Sequence, residues 1–328
     1  MPVYQPRERW FQLAAWQGEP EIEGIIVNAY FLYKQAEVRK ALAANGSLKE
    51  FVNFHGLIAT DSGAFQALTR QLFLVNKDIV RFQDAIGSDI ISPLDLITPP
   101  GDKRSVATAK LRATERRVEE GLRLVTRGTL AGVQQGGRFL DLRHESICRL
   151  VEMGVKYVAI GSLVPFFTRQ HDMTFAAAVI SDARREAGPD MPIHVYGAGD
   201  PCELPFMVAC GATIFDSASY GHYAAGGWYM TPFGALSDPG PILAGEFRCA
   251  CPICANTAIE SIFSDKVELT RHNLWTIHST MVLLRKIAHD PDMLDRRLSE
   301  ILEIHEKWFP DSRLGTSWRA FRAQRAGS

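Results

Sequence analysis

The feature that most restricts the fold is a recurring unit. A short apolar run stops at a polar residue or a glycine, and a helical pattern follows. Gly24-Ile25-Ile26-Val27 stops at Asn28, before helical composition over 33–44. Gly56-Leu57-Ile58-Ala59 leads into Thr60-Asp61-Ser62-Gly63. Asp89-Ile90-Ile91-Ser92-Pro93-Leu94 stops at Asp95. After Pro99-Pro100-Gly101 the pattern predicts a long helix over 102–126, with Asp102 as its cap and Leu111, Val118, Leu122 and Val125 near one face. Leu130-Ala131-Gly132-Val133-Gln134 stops at Gln135-Gly136-Gly137, before a helical 140–153. Tyr157-Val158-Ala159-Ile160 stops at Gly161-Ser162, before a helical 175–186. Ile193-His194-Val195-Tyr196 stops at Gly197-Ala198-Gly199, before a short helix over 204–210, and Thr213-Ile214-Phe215 stops at Asp216.

Alternation on this scale implies an α/β protein with a parallel sheet. A doubly wound sheet and a closed (β/α)8 TIM barrel compete. The barrel is favoured because the polar stops are spread over nearly every strand, whereas an open sheet concentrates them at its switch point. Seven units are visible; the eighth strand is expected within 218–274. No composition break argues for a second large domain. One catalytic domain over 1–328 is expected, with the barrel at about 20–290, an insertion carrying clustered cysteines at about 245–275, and a helical tail over 290–328.

The chain is 46% hydrophobic and 22% charged, ordinary globular material with enough length for a large core. A net charge of −1 excludes a global basic field, so nucleic-acid binding would need a local patch. No apolar run of about 18 residues suggests a membrane span. Residues 1–16 show no apolar signal core, so an intracellular, cytoplasmic protein is expected.

Cys249, Cys251 and Cys254 supply three thiols within six residues. In an intracellular chain such spacing points to a metal before disulfides. The fourth ligand is expected downstream, from His272 or His278. Three thiolates and one imidazole make a closed structural zinc site with no direct chemistry. The alternative is three buried cysteines without metal, which the tight clustering disfavours.

Asp61, Asp95 and Asp216 each follow an apolar run, at the inferred C-terminal end of a strand. Any one of them alone reads as a helix cap. Three together, with Gln135 and the Gly161 turn, point instead to a shared mouth. Convergent carboxylates suit displacement at an anomeric carbon, one as nucleophile and another as acid or base. No G-x-x-x-x-G-K-[ST] loop is present for phosphoryl transfer. Gln135-Gly136-Gly137 places an amide beside bare backbone, which suits the edge of a flat heterocycle or simply a polar turn.

At this level of detail the chain resembles the tRNA-guanine transglycosylases. The matching segments are Asn28-Ala29-Tyr30, TDSGAFQ at 60–66, GSDI at 87–90, LDLITPP at 94–100, GVQQGG at 132–137 with DLR at 141–143, YVAIGSLVP at 157–165, YGAG at 196–199, FDSASY at 215–220, and CACPIC followed by HNL at 272–274. They cover about 24–290 in the family's order, and the NAY, TPP and FDSASY versions look like the archaeal-type branch. The resemblance implies a (β/α)8 barrel with an inserted structural zinc site. It implies exchange of a guanine in tRNA for a free 7-deazaguanine, without ATP. Carried onto this sequence, Asp216 is the nucleophile and Asp61 the acid/base. Asp95, Gln135 and the Gly161-Ser162 backbone read the base edge, with Phe65 and Gly197 counted among the substrate-binding residues. HNL selects His272 over His278 as the fourth zinc ligand.

Ala64 and Ser162 stand where the resemblance predicts glycine, and each side chain limits how closely backbone approaches the base. The C-terminal RNA-binding domain typical of full-length archaeal members is not seen in the sequence. A partner, the mate in a homodimer, or the Arg319/Arg322/Arg325 stretch is therefore expected to position the nucleic acid. A DNA-modifying relative and a non-catalytic subunit paired with a catalytic paralogue are the other readings; retention of Asp61, Asp95, Gln135 and Asp216 argues against the second.

Overall fold

The computed structural model describes residues 1–4, 22–45, 47–64 and 74–326. Among the described residues nine strands form two parallel sheets. The first holds β1 (Val3–Tyr4), β2 (Gly24–Asn28), β3 (Leu57–Asp61), β4 (Ile90–Ile91) and β5 (Thr129–Leu130), in that order. The second holds β6 (Gly132–Gln134), β7 (Val158–Ile160), β8 (Ile193–Val195) and β9 (Ile214–Phe215). Register pairs Asn28 with Asp61, Ala159 with His194, and Val195 with Phe215.

The sheets adjoin at both margins. Only Ala131 separates β5 from β6: its N–H donates to Ile91 O at 2.9 Å, while Gly132 N–H donates to Tyr157 O at 2.8 Å. At the other margin Pro2 bridges Ser217 in parallel, Val3 N–H donates to Ser217 O at 3.0 Å, and Ser217 N–H donates to Met1 O at 3.2 Å. The expected position of the eighth strand is corrected here. Within 218–274 lie β10 (Tyr229–Thr231) and β11 (Gly234–Leu236), which pair antiparallel with each other. The strand beside β9 comes from the N-terminus. A two-residue strand carries no periodicity, so local sequence could not reveal it.

The strands are buried on both faces, as parallel sheets covered by helices are. Ile25, Val27 and Ile58 pack in one outer cluster and Val158, Ile160, Ile193 and Val195 in another, while Ile26, Ala59, Ile90, Val133, Tyr157 and Ala159 form the inner one. Helices Arg104–Leu124, Leu140–Glu152, Thr174–Ala187 and Leu204–Ala209 follow the strands as the pattern predicts. Asp102 does not cap the first of these. Lys103 occupies the cap position without a side-chain bond, and Asp102 accepts from Lys110 Nζ at 2.7 Å instead. The helix that carries His272 is Lys266–Ile287, and Asp265 caps it by accepting from Val267 and Glu268 N–H.

The C-terminal stretch is a docked helix, Leu314–Ala326, that buries Trp318 and Phe321 against Phe206, with ring centroids 5.1 and 5.4 Å away. Its Arg319 and Arg322 pair with Glu306 and Asp295 at the surface. Among the described residues no helix is long and apolar enough to cross a membrane.

Candidate active site and metal centre

Each polar stop sits at or just beyond a strand's C-terminal end, and the side chains there interlock. Asp61 closes β3 beside its register partner Asn28, whose Nδ2 donates to Asp61 Oδ2 at 2.9 Å. Gly63 N–H donates to Asp61 Oδ1 at 3.2 Å. Loss of bulk water in the pocket pushes the Asp61 carboxyl up to about 7; the Gly63 bond opposes the shift, and the charges of Asp95 and Asp216 add to it. Those repulsive couplings place Asp95 and Asp216 each within electrical reach of Asp61. Asp95 is likewise pushed up to about 6 by desolvation, against the hydrogen bond from Gln135.

Asp216 follows β9 and is buried. Gly197 N–H donates to its Oδ1 at 3.2 Å, which assigns Gly197 a contact with this carboxylate. Gly197 has φ +74, and a Cβ there would lie 2.4 Å from Val164 Cγ2, so any other residue would be strained and would displace Val164. Beneath Asp216 lies His194, 1% exposed, on the inner face of β8. Its Nε2 is 2.8 Å from Asp216 Oδ1, at an angle too oblique for a hydrogen bond, and its Nδ1 is 3.0 Å from Tyr157 Oη. Tyr157 Oη thus anchors one edge of the imidazole while the other edge approaches a single carboxylate oxygen of Asp216 from below. His194 looked like an ordinary strand residue in the sequence. Only the inward alternation of β8 hinted at more.

Across the site Gln135 Nε2 donates to Asp95 Oδ2 at 2.6 Å, and Ser162 Oγ donates to Gln135 Oε1 at 2.8 Å. Gly161 leaves room for the amide: a Cβ would lie 2.6 Å from Gln135 Nε2 and 3.4 Å from Asp95 Oδ2, and would push the Gln135 side chain from its place. Behind this plane is Arg143, 1% exposed, to which sequence reasoning gave no role although its DLR segment was noted. It donates to Gly137 O at 3.0 Å and Gly161 O at 2.7 Å, tying the Gln135 turn to the Gly161 turn. Burial pulls its guanidinium down to about 9, still charged at neutral pH. Asp61, Asp95, Gln135, Gly161, Ser162, Gly197 and Asp216 thus belong to one neighbourhood. Phe65 lies outside the described residues.

Cys249, Cys251, Cys254 and His272 bring their ligand atoms within 4.8 Å of one another. The three sulfurs lie 3.8, 3.4 and 3.5 Å from His272 Nδ1. A tetrahedral zinc with ordinary bond lengths needs a sulfur–nitrogen edge of about 3.6 Å, so the donor set fits. His272 Nε2 is 2.8 Å from Met230 O, which makes Nε2 the protonated nitrogen and leaves Nδ1 for a metal. Backbone N–H groups of Cys251 and Cys254 point at the sulfurs of Cys249 and Cys251, as thiolates require. The other candidate, His278, is not a member of this cluster. The four residues form a cluster that could hold a metal.

A parallel α/β protein with its polar groups gathered at the C-terminal strand ends, flanked by a Cys3His cluster, is the class defined so far. A family model described as Queuine tRNA-ribosyltransferase matches residues 1–293. The chain belongs to this family. It is 32% identical over 278 residues to a tRNA-guanine(15) transglycosylase of Methanosarcina mazei, covering 83% of this chain and 56% of that protein. It is 33% identical over 320 residues to the protein of the same name in Thermococcus onnurineus, covering 94% and 53%. A Methanothermobacter thermautotrophicus protein, also so named, is 31% identical over 335 aligned residues, covering 95% and 50%. The chain spans about half the length of these curated relatives.

Proposed function

We propose that this chain exchanges guanine in tRNA for a free 7-deazaguanine base through a covalent aspartyl-ribosyl intermediate. The observation that carries the reading is the convergence of Asp61, Asp95 and Asp216, with the Gln135 amide, at one set of strand ends. The relatives' printed names support tRNA, and guanine 15 within it, as the target. We read the scaffold as a closed (β/α)8 barrel, with β5 and β6 counted as one strand and β1 completing the ring. The Cys3His cluster is read as a structural zinc site, whose ion would pin the insertion and add no chemistry at the pocket. A cytoplasmic setting follows from the substrate.

In the first half-reaction an Asp216 oxygen attacks ribose C1′. The bond from C1′ to guanine N9 breaks as Asp61 gives the departing base a proton. Asp95 accepts from the N–H groups of the base edge, and the free Gln135 N–H donates to its carbonyl. In the second half Asp61 takes the N9 proton of the incoming base. N9 then attacks C1′ and releases the Asp216 carboxylate. One glycosidic bond is broken and one is made, so no energy cofactor is needed. Carbon at position 7 of the new base removes the N7 protonation route, which makes the exchange effectively one-way.

Labelled guanine supplied to the purified protein should enter tRNA and leave duplex DNA unlabelled. Labelling of DNA alone would transfer the reading to DNA, and labelling of neither would leave a non-catalytic subunit. The position of Asp61 adds a pH signature. A carboxyl raised to about 7 is protonated below that pH and lost as an acid above it. Single-turnover adduct formation should therefore fall as pH rises through about 7, and Asp61→Asn should be slow at every pH without that limb. A wild-type rate that is flat between about pH 6 and pH 8 would count against Asp61 as the acid.

A further inference from the structure

Ser162 has φ +58, a backbone conformation that side-chain-bearing residues seldom adopt and that is retained where surroundings over-determine it. Its hydroxyl explains the retention. Thr98 N–H lies 2.9 Å from Ser162 Oγ, and a backbone N–H can only donate. Ser162 Oγ is therefore an acceptor toward Thr98, and its one proton is free for Gln135 Oε1, 2.8 Å away. That donation turns the amide carbonyl toward Ser162 and the NH2 toward Asp95, where Nε2 to Oδ2 is 2.6 Å. Amide orientation is commonly ambiguous. Here it is dictated by a chain of polarity that starts at a group unable to reverse.

We propose that Ser162 is a specificity-determining positioning residue, whose hydroxyl locks the Gln135 amide so that the site reads a guanine edge and rejects one with an amine in place of the 6-carbonyl. This rests on the base-reading role proposed above for Asp95 and Gln135. With the lock in place, Asp95 is an acceptor and the remaining Gln135 N–H is a donor. That pairs with an edge bearing N–H, NH2 and a carbonyl. Without the hydroxyl the amide is free to turn. A turned amide presents Oε1 to Asp95, which is stable only when Asp95 carries a proton on Oδ2; that proton is spent on Oε1, so Asp95 still accepts from the base and only the Gln135 reader reverses. The altered edge takes an amine at position 6 in place of the carbonyl, as in 2,6-diaminopurine, whose 2-amine still donates to Asp95.

The test measures equilibrium binding of free guanine and of free 2,6-diaminopurine, with labelled-guanine exchange into tRNA run alongside. Wild type should prefer guanine. Ser162→Ala should cut that preference by about tenfold, the scale of one directed hydrogen bond, with the loss concentrated in KM for the base. Ser162→Thr should restore it. Ser162→Gly relieves the positive φ yet lacks the hydroxyl, and should resemble Ser162→Ala. Unchanged preference in both Ala and Gly variants overturns the proposal, as does preference retained by Gly and lost only by Ala, which would make backbone shape the cause. Wild-type protein that binds guanine but exchanges none refutes the function while the binding ratios still decide Ser162. Binding of neither base overturns both.

Discussion

Replacing Asp216 by Asn removes the denaturation-resistant protein–RNA adduct and lowers base exchange by roughly 10⁴-fold or more, the scale of losing a covalent nucleophile. The variant keeps the shape of the site. Its amide oxygen can still accept from Gly197 N–H, now 3.2 Å from Oδ1, and the amide matches the carboxylate in size. Only the anionic oxygen proposed to attack C1′ is gone. Melting should accordingly stay close to wild type, which separates lost chemistry from lost fold. Denaturing gel electrophoresis after incubation with tRNA reads the adduct directly. An adduct of undiminished yield in Asp216→Asn would refute Asp216 as the nucleophile and, with it, the covalent mechanism.

Cys251→Ser is expected to lose the bound metal and lower the melting temperature by roughly 10 °C or more, because metal-ligand free energy in such sites is folding free energy. Cys251 is fully buried, in a cluster with Ala224, Tyr229, Leu236, Ile242, Ile253, Ile262 and Leu269. Tyr229 stacks on His272 with centroids 3.6 Å apart, and its Oη lies 3.1 Å from Cys254 Sγ. The insertion's small core is therefore built around the ligands. Without an ion, thiols and an imidazole would crowd an apolar interior with little to hold them. Metal analysis of the purified protein should find one zinc per chain. A Cys251→Ser protein with wild-type metal content and melting would sink the structural-zinc reading.

Much of the framework was legible because strands buried on both faces must be apolar runs, and such runs are visible in Ile25-Ile26-Val27 or Val158-Ala159-Ile160. The carboxylates were legible for the complementary reason. A charged residue that ends such a run marks where the strand leaves the core, as Asp61 and Asp216 do. Asp102 misled because acidic residues before a helix usually cap it; here Lys110, reaching back from the helix, captured the side chain. Arg143 was hidden because a buried cation has no local signature. Its partners, Gly137 O and Gly161 O, are backbone atoms supplied by two different turns.

The sequence by itself determined the alternating α/β framework, the strand-end aspartates and the cluster of Cys249, Cys251 and Cys254, since each depends on residue type and short spacing. The tertiary structure alone decided that Val3–Tyr4 lies beside β2 and bridges to Ser217, that His194 sits under Asp216, and that Ser162 orients Gln135. These are contacts between chain segments from 22 to 215 residues apart. Hydrogen-bond direction and side-chain approach there are set by where separate strands end in space, which no local pattern encodes.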